Sequence, residues 1–247
     1  MKEFDRLTTL MERFNLKVQM VPLAQAHLVV TKSDQGAPQQ VLLNTGGVGF
    51  AINDTQILLC ASIDWGGDAN PLFSALPPII DIRFEDGDDF VALINLIHHE
   101  LELQRCGSDS VVNRLCEILV VKILRAKIEQ GDAEPGLLAG LCDPRLSRAI
   151  VVMHDQPSKD WDNQQLAHIA GLSLSRFAEL FSQQVGVSPS AYLRRWRMVL
   201  ARQDIRGGAR ISAVARRYGY QTSEGFSRAF NKQFGTNPMQ QRFQSQV

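Results

Sequence analysis

The 247 residues carry 45% hydrophobic and 21% charged side chains with a formal net charge of zero, which is the composition of a soluble globular protein with room for two modest cores. No apolar run approaches the roughly 18 residues of a membrane span, and the charged, amphipathic start MKEFDRLTTLMERF is not a secretory signal, so a cytoplasmic location is expected. The zero net charge conceals an asymmetry. Up to Asp143 there are 11 Lys/Arg against 20 Asp/Glu, and from Pro144 onward 15 against 6. The basic second half predicts attraction to a polyanion, and the acidic first half predicts none.

In chain order, Phe4, Leu7, Leu10, Met11 and Phe14 are spaced as one stripe of a helix lying on the next domain. Between residues 16 and 84, short apolar runs (LKVQMVPL, AHLVV, QQVLLN, GVGFAI, QILLCASI, IIDIRF) alternate with Gly, Pro, Asn and Asp. This pattern predicts many short strands, hence a small β-barrel or sandwich. Asp88–Cys106 and Asp109–Glu129 then read as helices. The second helix is apolar nearly all round, with Val111, Ile118 and Val121 outside the stripe of Val112, Leu115, Leu119 and Ile123. Two arrangements satisfy that pattern. One face lies on the β-domain and the other on the same helix of a second subunit, or both faces are covered within the chain. Residues 129–144, EQGDAEPGLLAGLCDP, have the Gly, Pro and acidic residues of a linker. A helix follows, with Asp143 as its N-cap and Pro144 in its first turn.

The strongest pattern is written twice. LAHIAGLSLSRFAELFSQQVGVSP begins at Leu166 and VARRYGYQTSEGFSRAFNKQFGTNP at Val214. Leu166, Ala167 and Gly171 align with Val214, Ala215 and Gly219, and Phe177, Phe181, Gly186 and Pro189 with Phe226, Phe230, Gly235 and Pro238. Each copy reads as a short helix, a turn at glycine and a longer helix, which is a helix-turn-helix. Asp162 with Gln165 forms a capping-box pattern, and Ser173 and Thr222 are placed to cap the second helix of each copy. In those helices Leu174, Phe177, Phe181 and Val185, and Phe226, Phe230 and Phe234, are expected to point inward. Ser175, Arg176, Glu179 and Gln183 in the first copy, and Ser223, Glu224, Arg228 and Asn231 in the second, are expected to face the base edges of a major groove. The intervening SPSAYLRRWRMVLARQDI reads as one helix from residue 188 to 205. Its Arg194, Arg195, Arg197 and Arg202, together with Lys232, are expected to reach phosphates.

GYQTSEGFSRAFNKQFGTNPMQQRF and GLSLSRFAELFSQQVGVSPSAYL closely resemble the two helix-turn-helix signatures of the AraC/XylS family of bacterial transcription regulators, a match covering roughly residues 144–245. Asn163, Gly225 and Asn237 depart from the family's usual residues. DRLTTLMERFNLKV, SIDWGGDANPLFSALPPII and the stretch from Asn113 to Ile150 resemble the members with a cupin-like sensor domain. The resemblance implies an α+β chain with two domains. Residues 1–135 would form a cupin-like regulatory domain that binds an effector or dimerises, and residues 144–247 an all-α double helix-turn-helix. It further implies sequence-specific binding of double-stranded promoter DNA, more often in activation than repression, with RNA polymerase as a partner, a small-molecule or redox effector, and a homodimer. In some members with a cupin domain, thiol oxidation is the signal, which makes Cys106 and Cys116 the candidates here; Cys60, Cys116 and Cys142 nevertheless sit in apolar contexts typical of inert thiols, and the four Cys share no C-x-x-C pair.

The rival reading is a cupin-type metal-dependent enzyme with a helical interaction domain. Cupin enzymes hold metal with clustered His and Glu, whereas His27 stands alone and the adjacent His98 and His99 face different ways on a helix, so no metal and no cofactor are expected. GGVGF at residues 46–50 lacks the flanks of a phosphate loop, and no catalytic constellation is legible.

Overall fold

The computed structural model of the chain describes residues 5–13, 16–45, 49–50, 52–64, 76–85, 87–131 and 135–243. Contacts divide them into two compact units, one of residues 10–142 and one formed by residues 143 onward together with the described residues up to Thr9.

The first unit is built on β1 (Lys17–Met20), β2 (Leu28–Lys32), β3 (Pro38–Asn44), β4 (Ile57–Asp64) and β5 (Ile79–Arg83), paired antiparallel in the order β1-β4-β2-β3-β5. Alternation in the sequence becomes alternation in burial, since β5 buries Ile80 and Ile82 and exposes Ile79, Asp81 and Arg83. The central strand β2 is different. Its Leu28, Val29, Val30 and Thr31 are all buried, as expected of a strand covered on both faces. Val30 pairs with Val41 of β3 and Leu59 of β4, and both registers shift next to Thr31, so β2 bends there. Five of the six apolar runs are strands. The sixth, residues 47–52, lies partly outside the described residues, and its described members Gly49, Phe50 and Ile52 are not in a strand.

Two helices accompany the sheet, α2 (Asp89–Leu103) and α3 (Ser108–Gln130). The Asp88 carboxylate accepts the Phe90 amide at 3.0 Å and starts α2. The turn between the helices is closed by a buried carboxylate, Glu100, which accepts from Arg105 Nη2 at 2.6 Å while the Glu100 carbonyl accepts from Ser108 Oγ at 2.8 Å. Val112, Cys116, Leu119, Val120, Ile123, Leu124 and Ile128 bury most of the circumference of α3, at about 1.5–3 kcal/mol for each large aliphatic side chain. Val111 and Ile118, seven residues apart, remain 41% and 50% exposed. Asn113 turns toward β1, and its Oδ1 accepts the Val18 amide at 2.7 Å, satisfying a donor on the sheet edge.

The segment read as a linker is partly structured. α4 (Leu137–Cys142) buries Leu137, Leu138, Ala139 and Leu141, because this short apolar run packs although Gly and Pro precede it. At the other end of the chain, α1 covers Thr8–Arg13, and the stripe's Phe4 and Phe14 lie outside the described residues. The Asp5 carboxylate accepts the Leu7 and Thr8 amides, and the Thr9 hydroxyl bonds to Asp155.

The second unit is all helical. It contains α5 (Leu146–Asp155), α6 (Asn163–Ala170), α7 (Leu174–Val185), α8 (Pro189–Arg206), α9 (Ile211–Arg217), α10 (Ser223–Phe234) and α11 (Pro238–Phe243). Asp143 Oδ1 accepts the Arg145 amide at 2.8 Å and the Leu146 amide at 3.2 Å ahead of α5. The largest buried side chains are aromatic: Trp196, Phe177, Phe181, Phe226 and Phe230. No helix among the described residues is long and apolar enough to cross a membrane.

Candidate nucleic-acid interface

The duplicated sequence builds a duplicated local structure. In the first module Asp162 caps α6 with a full capping box, its Oδ1 accepting the Gln165 amide at 2.7 Å while Gln165 Oε1 accepts the Asp162 amide at 3.4 Å. The turn follows at Gly171 (φ 68°) and, in the second module, at Gly219 (φ 83°). A side chain rarely adopts this backbone conformation, so glycine is what permits the tight turn into the second helix. Ser173 Oγ then accepts the Arg176 amide at 3.4 Å at the start of α7, and Thr222 Oγ1 the Gly225 amide at 3.1 Å at the start of α10. The Gly–x–x–Pro ends of the two repeats serve twice. Gly186 and Gly235 terminate α7 and α10, while Pro189 and Pro238 open α8 and α11.

The inward faces are aromatic. Phe177 and Phe181 pack at 5.5 Å between ring centroids and Phe226 and Phe230 at 5.7 Å, so the same two positions form the core of each module. Ser175, Arg176, Glu179 and Gln183 of α7 and Glu224, Arg228 and Asn231 of α10 are exposed; Ser223 is half-buried. Arg176 Nη1 lies 2.7 Å from Glu179 Oε2, so these two side chains present themselves as a joined pair. At Gly225, the third residue of α10, a Cβ would lie 3.0 Å from the Thr222 hydroxyl.

One inward expectation needs correction: Leu174 is 50% exposed. Phe234 is half-buried, its ring centroid 4.8 Å from that of Phe230 and 4.9 Å from the Arg202 guanidinium.

The arginines of α8 separate into two kinds. Arg194 and Arg195 are exposed. Arg197 and Arg202 are drawn into the fold, contrary to the expectation that all four point to phosphates. Arg197 Nε donates to the Pro157 carbonyl and Nη2 to the Lys159 carbonyl, each at 2.7 Å, and burial lowers its pKa from the usual arginine value. Arg202 Nε donates to Gln241 Oε1 at 2.6 Å. Their aliphatic stems and fixed donor forks hold α8 to the loop before α6 and to α11.

The structure also exposes basic residues that the sequence reading passed over, Arg206, Arg210 and Arg216 at the end of α8 and along α9. Lys232, near the end of α10, is exposed as well. Among the described residues none of Arg194, Arg195, Arg210, Arg216, Arg228 and Lys232 takes part in an ion pair. The missed signal was available: Arg210 immediately precedes, and Arg216 lies in the last turn of, the first helix of the second module, the element that crosses the DNA backbone in helix-turn-helix complexes.

The other candidates lie in the first unit. Cys116 is buried and its thiol is pushed up to about 12 by desolvation, which keeps it protonated and unreactive. Cys106 is exposed. Burial first, then the nearby Asp54 charge, raises Cys60. His27 Nδ1 accepts the Ile63 amide at 3.1 Å, a structural role. His98 Nε2 lies 3.3 Å from Glu102, and His99 is exposed. No group of three potential ligands gathers among the described residues. Between β1 and α3 lies a cavity of about 1180 Å³ whose lining includes Leu16, Val18, Val112 and Val121 with Lys17 and Arg125.

A duplicated helix-turn-helix following a cupin-like sheet defines a DNA-binding regulator. Residues 166–244 match the family model described as a helix-turn-helix domain, and residues 15–129 the model described as cupin. The chain is 31% identical over 219 residues to an AraC-like transcription regulator of Streptomyces antibioticus, covering 87% of this chain and 67% of that protein. It is 30% identical over 219 residues to an HTH-type transcriptional regulator of Haemophilus influenzae, covering 88% and 71%. The HTH-type transcriptional regulator AlkR of Acinetobacter baylyi is 35% identical over 182 residues, 71% of this chain and 59% of that protein. Among solved structures, an AraC-type regulator from Chromobacterium violaceum aligns over 41% of this chain and 92% of its own, with 25% identity and a TM-score of 0.40. ToxT from Vibrio cholerae aligns over 94% and 98%, with 10% identity and a TM-score of 0.44.

The chain belongs to the AraC family of transcription regulators. It is a DNA-binding regulator with a cupin-like N-terminal domain, and the reading as a cupin enzyme falls, because the relatives that share both domains are regulators.

Proposed function

We propose that the chain controls transcription in the cytoplasm by reading one asymmetric promoter site with both modules at once. The observation that carries this reading is the pair of exposed polar helix faces, α7 and α10, joined by one continuous 18-residue helix, α8. Such a helix is about 27 Å long and holds the modules apart without a flexible joint. In this reading Ser175, the Arg176–Glu179 pair, Gln183, Ser223, Glu224, Arg228 and Asn231 face base edges. Because the two sets differ, one subunit distinguishes the two halves of its site. Arg194, Arg195 and Lys232 contact phosphates, joined by Arg210 and Arg216.

Residues 1–135 are the regulatory part and 144–247 the reading part. Support for a sensing role is the cavity between β1 and α3, which combines apolar walls with charged side chains of both signs, Lys17 and Arg125 beside Asp109 and Glu117. Support for a homodimer is the exposed Val111 and Ile118 of α3. The output is activation through contact with RNA polymerase. A redox signal through Cys116 is disfavoured by its buried, protonated thiol, and Cys106 is the remaining candidate.

Arg228→Ala tests the assignment of α10. On a duplex selected from a random pool by the full chain, the substitution should weaken binding by about 1–3 kcal/mol and relax preference at one base pair. An equal loss on every sequence assigns Arg228 to phosphate instead. Unchanged affinity rejects both roles and with them the placement of α10 in the groove.

A further inference from the structure

The recognition helix of the first module opens on a leucine that the fold does not use. Leu174 is 50% exposed, while Phe177, Leu180, Phe181 and Val185 of the same helix are buried. It is not needed to fix the entry of the helix either, since the two positions that staple a helix start are occupied by Leu172 and Phe177. Its neighbours Ser175, Arg176 and Glu179 are exposed and polar. At the matching first position of α10 stands Ser223, half-buried, so the modules differ here in chemistry as well as exposure. Among the edges that base pairs present in a major groove, the apolar feature is the thymine 5-methyl group; the others are donors and acceptors. An exposed aliphatic side chain at the leading turn of a groove-entering helix matches that feature.

We propose that Leu174 is a specificity residue that reads a thymine through its 5-methyl group in the half-site of the first module. The inference rests on the placement of α7 in the major groove and adds to it the identity of one base. Contact with the methyl removes apolar surface of both partners from water, and cytosine, which lacks the methyl, offers none.

The test uses the full chain and a duplex selected from a random pool. Each thymine of that duplex is replaced in turn by deoxyuridine, which deletes the methyl and leaves every hydrogen-bonding group in place. One replacement should weaken binding about fourfold, the value for withdrawing one methyl-sized group from contact. The same replacement should cost nothing to Leu174→Ser, whose binding to the unmodified duplex is weakened but whose binding to random duplex is unchanged. Such non-additivity assigns the methyl to this side chain. If no thymine is methyl-sensitive with the unaltered protein, or if the sensitive thymine costs Leu174→Ser just as much, the proposal is overturned. Failure of the underlying reading looks different: the pool then yields no duplex that binds more tightly than random sequence.

Discussion

His154 illustrates what a single residue contributes beyond its sequence neighbourhood. It lies on α5, fully enclosed, with Nε2 2.7 Å from Tyr192 Oη and its ring centroid 4.3 Å from that of Trp196, both on α8. Burial lowers its pKa to about 3 from the ordinary 6.5. The folded unit therefore takes up this proton less readily than the unfolded chain. The stability present above pH 6.5 is lost as pH falls from 6.5 towards 3, at up to about 1.4 kcal/mol per pH unit from this one group. Urea denaturation of the second unit at pH 7, 5.5 and 4 should show that loss, and His154→Phe should be less stable at pH 7 but lose less on acidification. Parallel pH profiles for the two proteins would reject the assignment. Residue roles of this kind were poorly legible in the sequence. Periodicity placed Phe177, Phe181, Phe226 and Phe230 inward, where they are buried, but it placed Leu174 there too, because a helical repeat does not show where the covering neighbours end.

At the scale of elements, the caps and turns were the most legible features. Asp162, Ser173 and Thr222 accept the amides expected of them, since capping depends on residues three apart and on little else. Tertiary partners were not legible. Four arginines on α8 look alike in sequence, yet Arg197 and Arg202 bind carbonyl and amide oxygens of other elements whereas Arg194 and Arg195 are exposed. The same helix holds α9 through Asp204, whose Oδ2 accepts from Arg217 Nη1 at 2.8 Å and from Tyr218 Oη at 2.9 Å. Tyr218 is buried and Arg217 half-exposed, so the two bonds differ in worth. Asp204→Ala should destabilise the second unit by about 1–3 kcal/mol, and Arg217→Ala by less than about 1 kcal/mol; chemical denaturation measures both. Equal and small losses would show that the network does not fasten the second module to α8. The run 137–142 misled the reading for a related reason: a short apolar segment bounded by Gly and Pro resembles a linker until its packing partners are known.

For the whole molecule, the change from strand-like runs to helical periodicity and the repeat itself carried the fold class, because both are properties of the chain that need no knowledge of contacts. Strand order was beyond reach. β2 lies between β4 and β3, and β1 and β5 sit at the edges, an arrangement set by long-range pairing rather than by any local pattern. The charge asymmetry links the fold to its function, since the basic half is the one that carries both modules, and the exposed arginines and lysine on α8, α9 and α10 give that charge a surface. The central claim is that this surface binds DNA and that its polar helix faces select a sequence. The direct measurement is the affinity of the full chain for a selected and for a random duplex at a series of salt concentrations. Displacement of condensed counterions predicts that log affinity falls steeply and linearly with log salt for both, with the selected duplex bound on the order of a thousandfold or more tightly. Binding that is absent, insensitive to salt, or equal for the two duplexes would contradict the account.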